Sequence, residues 1–350
     1  MKFGKAEIGM GIIGLGMGQC VFSVKSVPES TVRVRGICDT NEDRLREVAE
    51  ENEVGLATAD YRELLKEPGI DVVGVYTPDD LHAEHVLAAL DAGKHVVCTK
   101  PMVTSLADAR AILSKVRATG LKFLVGQTCR FIENYETAKS LVDQGKYGKL
   151  LYVEATYNHD LRDMFVPTPW RCQMPQDFLF GGLCHPMDLA MWIGGRITQC
   201  SAFSHKSLID DRYPSDIDDN YVAILRFENG ALGRVIGMYS FVHPDGMPYI
   251  ELTVSGSKAG SWQDKVTWEA QVGQRTVEEI SSHRPVQHEG ADYSGHHGEV
   301  VRYLRHFEEC LRNDLEPAPG ALEGTRVIAA LEAVRQSART GRAVTVEWDF

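Results

Sequence analysis

The stretch Ile8-Gly-Met-Gly-Ile-Ile-Gly-Leu-Gly-Met-Gly18 decides the fold of the first half of the chain. Its apolar residues 8–13 predict a strand, and the glycines that follow predict a tight turn into a helix. In that setting glycines let the backbone approach a pyrophosphate at a helix N-terminus. Gln19 stands at the third position of G-x-G-x-x-G, so the helix–strand packing must tolerate it or use Gly18 instead. A tight turn without a ligand is the alternative reading of a lone glycine motif.

An acidic residue follows the second apolar run. Residues 32–38 predict a strand that ends at Asp39. A carboxylate about 20 residues beyond the glycine turn binds the ribose 2′-hydroxyl of a dinucleotide. We therefore expect a nucleotide site, with NAD favoured over NADP because a carboxylate repels a 2′-phosphate. Arg44 lies close enough in sequence to weaken that preference.

Strands and helices alternate over residues 1–127. Further strands are predicted at 71–76, 95–98 and 122–125, and helices at 41–51, 80–92 and 105–119. This alternation predicts a doubly wound parallel sheet, a Rossmann domain of residues 1–127.

The pattern changes in residues 128–350. Strands are predicted without helices between them at 199–204, 221–227, 233–239, 249–255 and 260–268, after an earlier strand at 150–157. Helices are predicted at 134–144 and 177–193 and twice within 294–340, and a last strand at 343–347. We expect an α+β domain with an antiparallel or mixed sheet.

Composition excludes several classes of function. The 350 residues suit two domains, and 37 basic against 49 acidic residues give a net charge of −12. That charge argues against nucleic-acid and anionic-membrane partners. No apolar run is long enough to span a membrane, and Glu7 and the glycines after it argue against a signal peptide. The 8 cysteines form no C-x-x-C pair, which predicts free thiols in a reducing, cytoplasmic setting.

Two groups of residues are candidates for chemistry. Thr77-Pro78 and Lys100 follow predicted strands, and ligands bind beyond the carboxyl ends of strands in such sheets. His185 and Asp188 are three residues apart, so they share a helix face, and a carboxylate beside a histidine suits a general base. A surface lysine and a packed histidine are the alternatives. His82 and His85 lack a third ligand nearby, so no metal site is expected.

These motifs, in this order, resemble the Gfo/Idh/MocA oxidoreductase family over nearly the whole chain. The resemblance rests on Gly-Ile-Ile-Gly-Leu-Gly at 11–16, Thr77-Pro78 with His82, Gly93-Lys-His-Val-Val-Cys-Thr-Lys-Pro101, Gly181-Gly182 with His185-x-x-Asp188 and Trp192, and Leu225-Arg-Phe-Glu-Asn-Gly-Ala231. It implies a C-terminal domain with a large, mostly antiparallel open sheet, through which such chains commonly form homodimers or homotetramers. It also implies NAD(P)-dependent oxidation of a secondary hydroxyl of a sugar, sugar derivative or cyclitol.

The resemblance assigns roles to residues. Lys100 would stabilise the developing alkoxide, His185 would take the hydroxyl proton, and Asp188 would hold a substrate hydroxyl or orient His185. The residues expected to bind the cofactor are Gly14, Gly16, Met17, Asp39, Thr77, Pro78, His82 and Lys100. The further residues expected at the substrate are Arg130, His159, Asp160, Trp170 and Arg171, which lie on or beside an irregular stretch rich in aromatic and charged side chains.

Two departures from the family pattern keep alternatives open. Thr99 stands where the family has Glu before the lysine, and Gly181 stands where many members have Asp. Asp188, Asp160 or Asp177 would have to replace the missing carboxylate. A redox-neutral glycoside hydrolase or lyase, which oxidises a sugar transiently, is therefore a second candidate. A non-catalytic nucleotide-binding regulator is a third, against which Lys100 and His185 both count.

Overall fold

The computed structural model describes residues 7–27, 29–165, 168, 170–173, 177–207, 217–283 and 298–350. The chain divides into two compact units. The first comprises the described residues of Met1–Thr128 and Glu289–Thr325, and the second those of Cys129–His288 and Arg326–Phe350.

The first unit contains a six-stranded sheet in the order β3-β2-β1-β4-β5-β6. Its strands are β1 (Ile8–Ile13), β2 (Val32–Cys38), β3 (Leu56–Thr58), β4 (Val72–Val75), β5 (His95–Thr99) and β6 (Phe123–Gly126). All neighbouring strands are parallel. Every residue of β1 is buried, as expected for a central strand covered on both faces. The strand order confirms the predicted Rossmann sheet.

The helices are α1 (Glu42–Asn52), α2 (Tyr61–Lys66), α3 (His82–Asp91), α4 (Leu106–Thr119), α5 (Glu133–Asp143), α6 (Trp170–Gln173), α7 (Phe178–Gly181), α8 (Cys184–Gly194), α9 (Glu299–Asn313) and α10 (Ala321–Thr340). Side-chain hydrogen bonds cap the N-termini of several of these helices. Asn41 accepts a hydrogen bond from the backbone of Arg44, and Ser105 accepts one from that of Asp108. The segment after the glycine turn is a 3-10 helix, Met17–Ser26, against which α9 packs.

The second unit contains a nine-stranded sheet in the order β14-β13-β12-β11-β7-β10-β9-β8-β15. Its strands are β7 (Leu150–Asn158), β8 (Ile197–His205), β9 (Asn220–Phe227), β10 (Leu232–Met238), β11 (Ile250–Gly256), β12 (Ala259–Trp262), β13 (Lys265–Gln271), β14 (Gln274–Glu279) and β15 (Val344–Thr345). Only the central pair, β7 and β10, is parallel. Helix α8 packs on one face of the sheet, over β7 and β10. The predicted α+β architecture with a mostly antiparallel sheet is confirmed.

Two local predictions were wrong, and two strands were missed. The strand predicted at 260–268 is the hairpin β12–β13, which turns at Gln263 with φ 53°. The helix predicted at 177–193 is interrupted between α7 and α8. A Cβ on Gly182 would lie 2.4 Å from Cζ of Tyr239, so the tyrosine ring occupies the space of that missing side chain. Strands β3 and β14 were not predicted at all.

No helix in the described part of the chain has the length and apolar composition needed to cross a membrane.

Candidate functional site

The glycine turn has the shape that a dinucleotide needs. Gly14 has φ +91°, and a Cβ there would lie 2.7 Å from the backbone of Tyr76. A Cβ on Gly16 would meet no heavy atom of the described residues within 4 Å, so that side of the turn is open to a pyrophosphate. A Cβ on Gly18 would lie 2.7 Å from Cγ2 of Ile12. Gly18 therefore provides the close helix–strand packing that Gln19 cannot.

Asp39 is bonded to this turn. Its Oδ2 accepts a hydrogen bond from the backbone N–H of Leu15 at 2.7 Å, and Oδ1 accepts one from Asn41 at 2.8 Å. Nη1 of Arg44 lies 3.5 Å from Oδ2. Since a carboxylate has about four acceptor positions, these bonds leave capacity for a ribose hydroxyl. The glycines and Asp39 thus fit NAD.

The loops after β4 and β5 lie at the same carboxyl edge of the sheet. Thr77 and Pro78 follow β4, and Lys100, half-buried, follows β5. His82, at the start of α3, is fully buried. Its ring contacts the carbonyl oxygens of both loops, with Nδ1 2.8 Å from that of Pro101 and Nε2 2.9 Å from that of Thr77. The structure therefore places His82 between the loops and beneath the surface.

In the second unit, α8 carries His185 and Asp188, and both are buried. Nδ1 of His185 lies 3.4 Å from the sulfur of Cys129. Asp188 accepts two hydrogen bonds from Arg130, at 2.7 Å from Nε and 2.6 Å from Nη2. The guanidinium of Arg130 also lies over the ring of Trp192, 5.5 Å from its centre. Cys129 and Arg130, which are consecutive residues after β6, thus contact His185 and Asp188, which are one turn apart on α8.

Ring contacts connect His185 to Tyr157, His159 and Tyr249 in turn. The ring of Tyr157, on β7, meets it edge-on at 5.2 Å between centroids, and the Tyr157 hydroxyl lies 3.0 Å from Nδ1 of His159. His159 in turn packs against Tyr249 at 4.7 Å. Burial raises the pKa of Tyr157, and the charge of Arg171 opposes that rise. The predicted residues His159, Arg171 and His185 are therefore assembled around Tyr157.

Sequence reasoning missed Tyr157, Tyr249 and Cys129. None of them belongs to a motif. The available signal was the spacing of Tyr157 and His159, which are two residues apart at the end of a strand and so extend to the same side.

The other carboxylates proposed as replacements have cationic partners. Asp160 is paired with Arg162, whose hydrogen bond is the main cause of the lowered pKa of Asp160. Asp177 caps α7 and lies 2.5 Å from Nη2 of Arg335. Burial nevertheless raises the pKa of Asp177. Trp170 begins α6, but its side chain lies outside the described residues.

No group of three or more metal-ligating side chains occurs among the residues that the structure describes.

Comparison with known proteins agrees with this geometry. Residues 8–127 match the model of an oxidoreductase family's NAD-binding Rossmann fold, and residues 139–346 match that family's C-terminal alpha/beta domain. Myo-inositol 2-dehydrogenase of Thermotoga maritima is 29% identical over 258 residues, which are 73% of this chain and 75% of that protein. The NAD(+)-dependent scyllo-inositol 2-dehydrogenase of Bacillus subtilis is 24% identical over 98% of this chain and 96% of its own length.

Among solved structures, a levoglucosan dehydrogenase in complex with NADH superposes with a TM-score of 0.86. It covers 98% of this chain and 100% of its own, at 23% identity, and so shows a shared fold.

Proposed function

Because the chain belongs to the Gfo/Idh/MocA family of NAD-binding oxidoreductases, we propose that it transfers hydride between a secondary hydroxyl of a sugar or cyclitol and the nicotinamide. Two observations carry this proposal: the first unit has an open glycine turn bonded to Asp39, and the second has a buried histidine on α8 whose ring contacts Cys129. The relatives named above act on inositols, which supports a polyhydroxylated ring as the substrate.

The proposed roles of the protein side chains follow from their chemistry. NAD, when bound, supplies the hydride acceptor. The ammonium of Lys100 donates a hydrogen bond to the reacting oxygen and stabilises the charge that develops on it. His185 takes the hydroxyl proton, since a neutral imidazole is a competent base near neutral pH. Cys129 and Tyr157 hold its ring, and Arg130 and Asp188 fix the next turn of α8.

The cofactor is proposed to be NAD in preference to NADP. Asp39 holds a negative charge beside the glycine turn, where the 2′-phosphate of NADP would stand. Arg44 partly offsets that charge.

A second copy of the chain is the proposed macromolecular partner. The face of the nine-stranded sheet opposite α8 carries several exposed apolar side chains, and strand pairing sets Phe203 directly opposite Val222. The exposed apolar residues of this face are Phe203, Val222, Ile224, Leu232 and Trp262. Apolar patches of this kind mark protein interfaces. We also propose a cytoplasmic location, which the 8 free cysteines support.

A substrate panel tests the function. Purified protein is mixed with NAD and inositols, free sugars, polyols or glycosides, and the absorbance band of reduced nicotinamide is followed together with the products. Growth of the band with one substrate is expected. A flat band with NAD-dependent cleavage of a glycoside would instead support the redox-neutral alternative, which the dehydrogenase relatives do not favour.

Variants test the two roles. Lys100→Ala and His185→Ala should abolish turnover while the circular dichroism spectrum and NAD-independent stability stay close to those of the parent. Undiminished turnover in either variant would remove that residue from the mechanism.

A further inference from the structure

We propose that His82 is a buried imidazolium cation at neutral pH that ties the loop after β4 to the loop after β5 and so positions Lys100. The positioning role rests on the proposed function of Lys100, whereas the charge state of His82 does not.

The geometry favours two protons on the ring. Each ring nitrogen of His82 faces a backbone carbonyl oxygen, at 2.8 Å from Nδ1 and 2.9 Å from Nε2, and the side chain of Cys98 is a further hydrogen-bond partner. A carbonyl oxygen only accepts hydrogen bonds, and a neutral imidazole has one N–H to donate. The neutral ring would therefore direct a nitrogen lone pair at an oxygen lone pair inside the protein. His82 is 0% exposed, so water cannot relieve that repulsion.

The surrounding groups favour the charged form. Burial by itself would lower the pKa of His82. The side chain of Cys98 on β5, which also forms a hydrogen bond with the ring, Asp79 in the preceding 3-10 helix and the carbonyl of Pro101 all raise it, and the net effect raises the pKa to about 10. His85, one turn later on α3, responds to this charge: burial lowers its pKa first, and His82 lowers it further.

The carbonyl groups of Thr77 and Pro101 belong to the two loops at the carboxyl edge of the first sheet, where we expect cofactor and substrate to bind. Pro101 follows Lys100 directly, and the sulfur of Cys98 holds the same loop through the carbonyl of Met102 at 3.7 Å. Thr77 lies against the glycine turn, since a Cβ on Gly14 would be 2.9 Å from the nitrogen of Thr77. One cation thus links the loop after β4, which lies against the glycine turn, to the residue that follows Lys100. Loss of a proton would release one carbonyl and leave the backbone at Lys100 less restrained.

The charge can be read directly by NMR. Protein labelled with ¹⁵N-histidine, without cofactor, is examined by long-range ¹H–¹⁵N correlation from about pH 6 to pH 9. Both ring nitrogens of His82 should show protonated shifts throughout, whereas those of His85 should show a neutral ring. The signals are assigned by their loss in His82→Gln, or in His82→Asn if the glutamine variant does not fold. An unprotonated nitrogen in His82 at about pH 7 would overturn the proposal.

Stability gives a second readout that does not depend on activity. The folded protein keeps the proton above the unfolded pKa of about 6.5, so folding is favoured by lower pH. The stabilisation that His82 provides should therefore be complete below about pH 6.5 and be lost as the pH rises towards about 10. The difference in unfolding free energy between the parent and His82→Gln should shrink over that interval. A difference that is constant with pH would contradict a buried cation.

Kinetics test the positioning role. His82→Gln should lower kcat by about tenfold or more, with a smaller change in KM for NAD, because Lys100 acts on the reacting oxygen. His205→Gln, at an exposed histidine of β8, is the control and should retain most of kcat. If the NMR spectrum shows the cation but His82→Gln keeps the parental kcat, the positioning role is wrong. If no substrate is ever turned over, the proposed function fails while the NMR and stability results stand.

Discussion

Arg130 and Asp188 form a two-point ion pair, in which Nε and Nη2 of the guanidinium donate to the two carboxylate oxygens at 2.7 and 2.6 Å. The side chains are only 10% and 1% exposed. The sequence predicted that Arg130 would contact substrate and that Asp188 would hold a substrate hydroxyl or orient His185. It did not predict that the two side chains pair, which gives Asp188 a fixed position one turn after His185 on α8.

Breaking this pair should destabilise the protein strongly. Asp188→Ala leaves a nearly buried guanidinium without its partner, so we expect a loss of about 3–5 kcal/mol in the free energy of unfolding. Urea denaturation measures it. The double variant Arg130→Met/Asp188→Leu should recover most of that loss, because neither charge is then left alone. Asp43→Ala, which removes a highly exposed ion pair with Arg46, is the control and should cost under about 1 kcal/mol.

The thiol of Cys129 should affect kcat by orienting the ring of His185. Cys129→Ala removes the partner of Nδ1, and we expect kcat to fall about tenfold with KM for the substrate nearly unchanged. Cys129→Ser keeps a hydrogen-bonding group there and should restore kcat to within a few-fold. Cys200→Ala, at a buried cysteine of β8, serves as the control. Equal kcat values for the serine and alanine variants would show that the contact does not orient the ring.

Two glycines of the same turn should respond in different ways. Gly14→Ala combines a positive φ with a backbone contact of 2.7 Å, so it should destabilise the protein by more than about 1 kcal/mol. Gly16→Ala adds a methyl group into open space at a negative φ and should change stability by less than about 0.5 kcal/mol. It should nevertheless weaken NAD binding in a calorimetric titration. Unchanged NAD affinity in Gly16→Ala would mean that the pyrophosphate does not approach this side.

Asp39 should set the cofactor preference. Asp39→Asn keeps an oxygen that can accept from Leu15 N–H but removes the charge that repels a 2′-phosphate. The ratio of NADP to NAD dissociation constants should fall by about tenfold, which corresponds to about 1.4 kcal/mol. Asp60→Asn, at the cap of α2, is the control. A ratio that does not change would place the determinant of cofactor choice elsewhere.

The exposed sheet face should support self-association. Ile224→Arg places a charge beside Val222 on the exposed face of β9, and sedimentation velocity should show a smaller species than the parent. Val272→Arg is the matched control, because Val272 is 96% exposed in the turn between β13 and β14. A monomeric parent, or an unchanged oligomer in Ile224→Arg, would contradict the proposal.

The sequence predicted the first sheet well because its strands are continuous apolar runs with glycines or helix caps at their ends. β3 was missed because three residues are too few to show a period. β14 was missed because four of its six residues are charged or amide side chains that face solvent. Gln263 supplies the tight turn of the β12–β13 hairpin without a glycine, so nothing in the sequence marked it.

The candidate site was only half visible in the sequence. Lys100, His185 and Asp39 stand in motifs whose spacing is informative. The partners of His185 belong to no motif: Cys129 lies 56 residues before it in the chain, and Tyr157 lies on β7 whereas His185 lies on α8. Likewise the sequence could place His82 near the cofactor edge, but only the structure shows its two carbonyl partners.

The central position of β7 has a consequence for how the chain folds during synthesis. β7 pairs with β10 and β11, whose residues are separated from it by tens of positions along the chain. During synthesis β7 therefore has no strand to pair with until the segment that ends at Gly256 has left the ribosome. Until then the side chains of Val153 and Ala155, which are buried in the folded protein, stay exposed. Sheets built on such distant contacts form slowly and expose apolar strands meanwhile. We thus expect the second unit to be the part of a nascent chain that chaperones protect longest.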